Sequence, residues 1–238
     1  MATRVFDKPG ISAGLRRNTR SAIDVRRLRL AARRGLNMTA AGFCLLVTMP
    51  LMLLIAALIK LTTRGPVLYK QTRVGLDRRG ARTMGDNWRR SGNVGGRPFT
   101  IYKFCTMAPS SGGAQVWARP DDERVTRLGR VLRRFRLDEL PQFFNVLRGD
   151  MNVVGPRPEQ PDIFAQLRTK IEYYPHRQQV LPGITGWAQI NLAYDRSLDD
   201  VRRKVALDLE YIRRQSAVED AKIMLRTLPV MLGRRGGW

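Results

Sequence analysis

The sequence offers few side chains that could bind a transition metal or form a disulfide. Its 238 residues include one histidine, His176, and two cysteines, Cys44 and Cys105. This inventory excludes a zinc site built from cysteine and histidine. Cys44 lies in an apolar run and Cys105 beside basic residues, so we expect no structural disulfide. A metal ion would have to be held by carboxylates, water and substrate phosphates, which favours magnesium.

Acidic residues are also scarce. The chain has 20 Asp and Glu against 43 Lys and Arg, which gives a formal net charge of +23. Such an excess predicts an anionic partner, which can be a nucleic acid, an acidic membrane surface or a phosphorylated substrate. Composition alone does not choose among these three classes.

Charge is absent altogether from residues 35–59, which are apolar. The run exceeds the roughly 20 residues that cross a bilayer, so it predicts a membrane anchor. Pro50 near its middle predicts a kink. Because basic residues such as Arg34 and Lys60 flank both ends, both ends carry a cytoplasmic signal. Two geometries remain open: a straight span, or a re-entrant hairpin bent at Pro50 with arms of about 18 Å.

The rest of the chain predicts an α-dominated α+β fold with a small sheet. Alternating residues indicate paired strands at 66–75 and 98–107, joined by a Gly- and Arg-rich loop at 76–97. Apolar periodicity predicts the helices, which lie at 127–147 with a restart at Pro141, at 160–172, at 198–214 and in an amphipathic basic C-terminal segment.

This pattern divides the chain into three parts. Residues 1–25 are polar and basic, and we expect a mostly disordered arm near anionic lipid. Residues 26–61 form the membrane helix. We expect residues 62–238 to form a folded domain that ends in an interfacial helix.

The segment 137–159, LDELPQFFNVLRGDMNVVGPRPE, holds the densest group of reactive side chains. Neighbouring positions on a helix point about 100° apart, so Asp138 and Glu139 would not duplicate each other. One could attack a phosphorus atom while the other holds magnesium against a diphosphate. The arginines before the pair, among them Arg133, would keep both carboxylates ionised. The alternative is a solvent-exposed acidic pair that balances a basic helix.

Two further motifs suggest binding. Arg157 stands between two prolines in GPRP, a rigid frame that suits an arginine held ready for a phosphate. In GITGWAQIN, Trp187 and Gln189 could stack on and hydrogen-bond to a nucleotide. A rigid turn and a well-packed structural loop are the respective alternatives.

Six strings in order resemble the bacterial sugar transferase family, the monotopic polyprenyl-phosphate phosphoglycosyl transferases. The first is the apolar segment with its central proline. The other five are GPVLYKQTRVG, FTIYKFCTM, RVTRLGRVLRR, LDELPQFFNVLRGDMNVVGPRPE and PGITGWAQIN. The resemblance runs from about Arg33 to Leu232. It implies a re-entrant membrane helix on the cytoplasmic face of the bacterial inner membrane.

The resemblance also implies a chemistry. Asp138 matches the family's nucleophile, which attacks the sugar-linked phosphate of a UDP-sugar, releases UMP and passes the phosphosugar to undecaprenyl (polyprenyl) phosphate. Glu139 matches the partner that binds Mg²⁺. Lys103, Arg133 and Arg157 match basic positions near the phosphates. The product would prime the assembly of a surface polysaccharide or glycan.

The chain departs from the family pattern at Asn37, usually acidic, at Met49, often serine, and at Cys105 and Leu181, both usually basic; its 76–97 loop is also long.

Two other functions compete with the active transferase. One is a membrane-tethered nucleic-acid-binding protein, although aromatic residues are not interleaved with the basic runs as stacking would require, and we expect no nucleic-acid partner. The other is a catalytically impaired scaffold of the same family.

Overall fold

The structure is a computed structural model that describes residues 10–77, 95–108, 122–192 and 197–232, with side chains from residue 25 to 230 except residue 26. Helices dominate it, as predicted. In chain order the elements are α1 Gly10–Thr62, β1 Leu68–Val74, β2 Pro98–Phe104, α2 Arg127–Arg134, a 3₁₀ helix Leu137–Glu139, α3 Gln142–Arg148, β3 Asn152–Val154, α4 Pro161–Lys170, a 3₁₀ helix Tyr174–Gln179, β4 Gly183–Thr185, α5 Trp187–Asn191, α6 Leu198–Arg214 and α7 Ala217–Leu232.

Helix α1 contains the apolar run, and its stretch Arg27–Thr62 is long and apolar enough to cross a membrane. The helix continues through Pro50. The Thr48 hydroxyl donates to the carbonyl of Cys44 at 2.6 Å, one turn earlier, close to the backbone that the proline leaves without a donor. Large apolar side chains such as Phe43, Leu46 and Leu53 are two-thirds exposed. They form a surface suited to lipid.

Of the arm predicted at residues 1–25, residues 1–9 lie outside the described residues, and the structure begins α1 at Gly10. Once the apolar run has formed a helix, each further residue adds a backbone hydrogen bond without a new nucleation cost. The segment after Gly10 contains no proline before Pro50 to stop this extension.

The first and last parts of the apolar run both pack on the same domain. On the N-terminal side, Ala41 joins the core cluster that contains Val146 and Met151. On the C-terminal side, Ile55 and Ile59 pack in a second cluster whose other buried members are Phe104, Leu132 and Leu140. Helix α1 is therefore attached to the domain before and after its exposed middle.

A buried polar network reinforces the N-terminal attachment. Arg33 donates from Nε to Asp220 of α7 at 2.8 Å, and Asn37 donates from Nδ2 to the same carboxylate at 2.7 Å. The Oδ1 atom of Asn37 accepts from the backbone N–H groups of Val153 and Val154, at 2.8 and 3.1 Å. Asn37 is fully buried, so the departure at this position is part of a satisfied network.

The predicted hairpin is confirmed. Strands β1 and β2 pair antiparallel from Leu68 opposite Phe104 to Val74 opposite Pro98. Most of the connecting loop predicted for 76–97 lies outside the described residues. Cys105, which follows β2, packs at the edge of the cluster around Ile55 and Ile59. An apolar environment thus surrounds the position where the family usually has a basic residue, and burial raises the pKa of the Cys105 thiol.

The structure contains a second, parallel pair of strands. The sequence prediction was wrong here, because it assigned irregular structure to residues 149–161 and 181–191. Strand β3 pairs with β4, with Asn152 opposite Gly183 and Val154 opposite Thr185. Strands of three residues carry too little alternation for a periodicity argument to detect. Their pairing places the segment after Val154 against the PGITG motif.

The helix predicted across 127–147 is divided into α2, a 3₁₀ helix and α3, and the predicted restart at Pro141 is confirmed because α3 begins at the next residue. Helix α2 ends at Arg134 because Arg136 adopts the left-handed conformation, with φ of 53°. Leu132 and Leu140 are buried, whereas Val131 and Phe135 are 51% and 39% exposed. The predicted helices at 160–172 and 198–214 are confirmed as α4 and α6, and Ser197 and Asp200 form a capping box at the start of α6.

Candidate active site

The acidic pair occupies a short 3₁₀ helix, Leu137–Glu139, between α2 and α3. Arg136 precedes it in the left-handed region, a conformation that costs a residue other than glycine about 1–2 kcal/mol. Both acidic residues are at least nine-tenths buried. The alternative, a solvent-exposed acidic pair on a basic helix, does not describe this arrangement.

Glu139 is ion-paired on both sides. Its Oε1 atom lies 2.8 Å from Nζ of Lys103 on β2 and 2.7 Å from Nη2 of Arg157. Its Oε2 atom has a more distant donor, Nη1 of Arg157 at 3.4 Å. One carboxylate thus connects the β1–β2 hairpin with the segment after β3.

Asp138 differs from its neighbour. It is 9% exposed and makes no hydrogen bond or close ion pair with any residue in the described part of the chain. Lys103, Arg133 and Arg157 act on it only through their charge. Its oxygens therefore remain available to a reacting group.

The two carboxyl groups also differ in acidity. Burial, followed by the charge of Glu139, raises the pKa of Asp138 from 3.8 to about 6, against the opposing charges of Lys103 and Arg133. Burial would raise the pKa of Glu139 as well, but the charges of Arg157 and Lys103 hold it well below its usual value. The pair therefore combines a permanently ionised carboxylate with one that becomes ionised near pH 6.

Further cations surround the pair. Arg133 donates from Nε to the Thr106 hydroxyl at 2.9 Å, which fixes its side chain beside β2. The close approach of α2 to this strand requires Gly129, because a Cβ atom there would lie 2.1 Å from the carbonyl oxygen of Thr106. Arg136 is half-buried, and burial lowers its pKa although the charge of Glu139 opposes this. The site thus offers several positive charges to a phosphate.

The segment that carries Arg157 is held by the PGITG motif. The N–H of Gly155 donates to Thr185, and the N–H of Gly183 donates to Pro156, both at 2.9 Å. A Cβ atom on Gly183 would lie 2.1 Å from the nitrogen of Gly155, and one on Gly186 would lie 2.3 Å from its oxygen. These glycines allow two backbone segments to touch, so part of the motif serves to place Arg157.

The chain matches the family described as bacterial sugar transferase over residues 28–234. It belongs to that family. Among the most similar curated relatives are two from Aeromonas hydrophila and Caulobacter vibrioides. The first, named UDP-N-acetylgalactosamine-undecaprenyl-phosphate N-acetylgalactosaminephosphotransferase, is 43% identical over 84% of this chain and 43% of its own length. The second, named UDP-glucose:undecaprenyl-phosphate glucose-1-phosphate transferase, is 39% identical over 90% of this chain and 72% of its own length.

A third relative, from Komagataeibacter xylinus, is named undecaprenyl-phosphate glucose phosphotransferase. It is 41% identical over 82% of this chain and 35% of its own length. The chain therefore spans less than half the length of the Aeromonas and Komagataeibacter proteins. The family match includes the whole apolar run and every residue of the acidic site.

In this member of the family, the structure brings together the five residues that the sequence assigned to the phosphate chemistry, which are Lys103, Arg133, Asp138, Glu139 and Arg157. The two proposed nucleotide contacts, Trp187 and Gln189, differ from these five residues in their partners. The Trp187 indole donates to Glu210 at 3.1 Å and lies 4.0 Å below the guanidinium of Arg214. The Nε2 atom of Gln189 is buried without a partner among the described residues. Their role in nucleotide binding stays a prediction.

Several residues near the site had no role in the prediction from the sequence. Arg136 was noted only as a neighbouring charge, although its left-handed backbone forms the turn before the acidic pair. Arg73 and Arg177 contact the backbone of the segment that carries Arg157. No local pattern identifies such contacts, because Arg73 lies 85 positions from its partner Pro158.

The site offers few carboxylate ligands to a magnesium ion. Within the described ranges no group of three or more His, Cys, Asp or Glu side chains could hold a metal ion. Mg²⁺, however, is commonly bound by one or two carboxylates together with substrate phosphates and water. The Oε2 atom of Glu139 has one distant donor, so it can serve as such a ligand. The residues fit an ion that is held jointly with a diphosphate.

Proposed function

We propose that this protein transfers a phosphosugar from a UDP-sugar to undecaprenyl phosphate and releases UMP. The observation that carries the proposal is the asymmetry of the acidic pair, in which Asp138 is buried and unpaired within the described structure while Glu139 is ion-paired. A carboxylate without competing donors suits nucleophilic attack. The names of the relatives support the same classes of donor and acceptor.

The reaction has two halves. An oxygen of Asp138 bonds to the sugar-linked phosphorus of the donor, and the bond from that phosphorus to the bridging oxygen breaks, with its electron pair leaving on UMP. An oxygen of undecaprenyl phosphate then bonds to the phosphorus of the aspartyl phosphosugar. The carboxylate of Asp138 leaves, which yields the lipid diphosphate sugar and restores the enzyme.

The cations of the site support both halves. Lys103, Arg133 and Arg157 lie where they can neutralise charge on the phosphate oxygens, and Arg136 adds a further positive charge. Glu139 would hold Mg²⁺ through Oε2. The bound ion would neutralise charge on the diphosphate and orient it.

We further propose that α1 enters and leaves the membrane on the cytoplasmic side. A straight helix from Asn37 to Ile59 would be roughly 33 Å long, about the thickness of the hydrocarbon core. A domain on one side of that core can contact only one end of a crossing helix. Here both ends of the apolar run contact one domain. Basic residues also stand on both sides of the run, which supports a re-entrant arrangement at the inner membrane.

The test is UMP release by the protein in nanodiscs with magnesium, undecaprenyl phosphate and a panel of UDP-sugars that includes UDP-glucose and UDP-N-acetylgalactosamine. We expect release with at least one donor. Asp138→Asn should abolish it, whereas Asp162→Asn, the same change at an exposed position on α4, should leave it unchanged. Absence of UMP with every donor would favour the impaired scaffold, and full activity of Asp138→Asn would remove the nucleophile assignment.

A further inference from the structure

The backbone around Arg157 is held almost entirely through its carbonyl groups. Pro156 and Pro158 have no N–H group, so the segment has few donors of its own. Each of four consecutive carbonyls accepts a hydrogen bond from outside the segment. The donors are Gly183 N to Pro156 at 2.9 Å, Arg177 Nη2 to Arg157 at 3.0 Å, Arg73 Nη1 to Pro158 at 3.1 Å and Val74 N to Glu159 at 2.8 Å.

We propose that Arg177 is a positioning residue of the transferase, which sets the guanidinium of Arg157 against Glu139 and the donor phosphates by holding the carbonyl of Arg157. Its effect on turnover rests on the proposed function. Its effect on the segment itself rests only on the contacts of the described residues.

Arg177 is itself firmly held. It is 2% exposed, and its Nε atom donates to Oδ2 of Asp208 on α6 at 2.7 Å. Its Nη1 atom donates to the Tyr174 hydroxyl at 3.0 Å, and its guanidinium lies 5.1 Å from the centre of the Tyr174 ring. Burial would lower the pKa of Arg177, but the charge of Asp208 raises it above its usual value. The side chain is therefore a permanently charged bridge from α6 to the Arg157 carbonyl.

The bridge requires a guanidinium. Arg177 contacts Asp208, Tyr174 and the carbonyl of Arg157 through three different nitrogens at once. A lysine ammonium is a single point on a flexible stem and cannot reproduce this planar fork. Arg177→Lys thus keeps the charge opposite Asp208 and disturbs the contact with the carbonyl.

Arg73 has a weaker claim to the same role. It donates to the carbonyl of Pro158, one residue further from the guanidinium that matters, and its Nε atom is buried without a partner in the described part of the chain. Its distance to Glu159 is 4.0 Å, against 2.7 Å for Arg177 and Asp208. Arg177 contacts the carbonyl of Arg157 itself, and its shortest ion pair is closer than that of Arg73.

The consequence for turnover follows from geometry. Arg157 lies 2.7 Å from Glu139 through Nη2, a contact that also places its charge beside Asp138. A shift of about 1 Å in a positioned catalytic group can lower the rate by about 100-fold. We expect Arg177→Lys to lower kcat/KM for the UDP-sugar by about 10- to 100-fold, with the melting temperature checked separately.

The first experiment compares Arg177→Lys with Tyr174→Phe. The control removes a hydroxyl that contacts Arg177 but leaves the Arg157 carbonyl bonded. Hydrogen–deuterium exchange of the peptide covering 152–160 should accelerate in Arg177→Lys and stay near wild type in Tyr174→Phe. Unchanged exchange in Arg177→Lys would overturn the inference. This measurement needs no turnover, so it decides the inference even if the wild type releases no UMP.

The second experiment is a double-mutant cycle on kcat/KM. If Arg177 acts through Arg157, Arg177→Lys should have little further effect in an Arg157→Met background. A loss of the same size in both backgrounds would show that Arg177 acts elsewhere and would overturn the inference. A wild type without UMP release would instead contradict the proposed function and leave the exchange result to stand.

Discussion

Asp138 and Glu139 share one turn of 3₁₀ helix but differ in their partners. Glu139 lies 2.8 Å from Lys103 and 2.7 Å from Arg157, whereas Asp138 has no such contact among the described residues. Burial therefore has opposite outcomes for the two carboxyl groups. It raises the pKa of Asp138 to about 6, and the paired cations depress that of Glu139 in spite of it.

This difference predicts opposite effects of two isosteric substitutions on stability. Asp138→Asn removes an unpaired buried charge and should stabilise the fold at pH 8 by roughly 2–3 kcal/mol. Glu139→Gln leaves Lys103 and Arg157 without their counter-charge and should destabilise it by roughly 3 kcal/mol. Thermal melting in detergent measures both.

The gain from Asp138→Asn should depend on pH. The folded pKa of Asp138, about 6, lies above its ordinary value of 3.8. Between these values the folded state binds more protons than the unfolded state, so the stability of the wild type falls as pH rises through this window. The gain should therefore be full above about pH 6 and vanish below about pH 4. A gain that is independent of pH would contradict the assignment.

The acidity of Asp138 also predicts the pH dependence of turnover. A nucleophilic carboxylate must be ionised, so kcat/KM should fall about tenfold for each pH unit below about 6. Lys103 lowers this pKa, so Lys103→Met should move the acidic limb to higher pH. Lys170→Met, at an exposed position on α4, should leave it in place. An unmoved limb in Lys103→Met would contradict the electrostatic account.

Backbone contact at the PGITG motif makes a third prediction. A Cβ atom on Gly183 would meet Gly155 N at 2.1 Å and Thr185 O at 2.4 Å, so Gly183→Ala must push the two segments apart. We expect a loss of about 3 kcal/mol in stability and a lower kcat/KM because Arg157 moves. Gly42→Ala is the control, since nothing lies within 4 Å of its Cβ position. Melting temperature and UMP release are measured for both variants. If Gly183→Ala behaves like the wild type in both measurements, the contact between Gly183 and Gly155 does not position Arg157.

Several of these features could be predicted from the sequence because they are local. The alternation at 66–75 and 98–107 predicted the hairpin, and the order of the motifs pointed to the residues of the acidic site. The distinct partners of Asp138 and Glu139 could not be predicted, because they depend on where β2 and the segment after β3 place Lys103 and Arg157. The β3–β4 pair escaped detection because each strand has only three residues.

The contact between Asn37 and Asp220 illustrates the same limit, since 183 positions separate the two residues. Read alone, Asn37 is a departure from an acidic family position. In the structure an acid at 37 would face Asp220, and two buried carboxylates in one site cannot both ionise easily. The amide is the residue that can donate to Asp220 and accept from β3 at the same time.

That contact gives a fourth prediction. Asn37→Asp should lower the melting temperature by an amount equivalent to roughly 2–3 kcal/mol, because it adds a like charge and removes a donor. The exchange Asn37→Asp with Asp220→Asn should recover part of the loss, since one carboxylate and one amide are restored. Melting of the two single variants and the double variant measures this coupling. Additive losses would show that the two positions do not interact.

The most direct measurement is the capture of the covalent intermediate. The protein is incubated in nanodiscs with magnesium and a UDP-sugar that supports turnover, without undecaprenyl phosphate, and is then digested for mass spectrometry. The account predicts about one UMP per enzyme and a phosphosugar on the peptide that contains Asp138, both absent from Asp138→Asn. A donor that supports turnover with no adduct, or with the adduct on another residue, would contradict it.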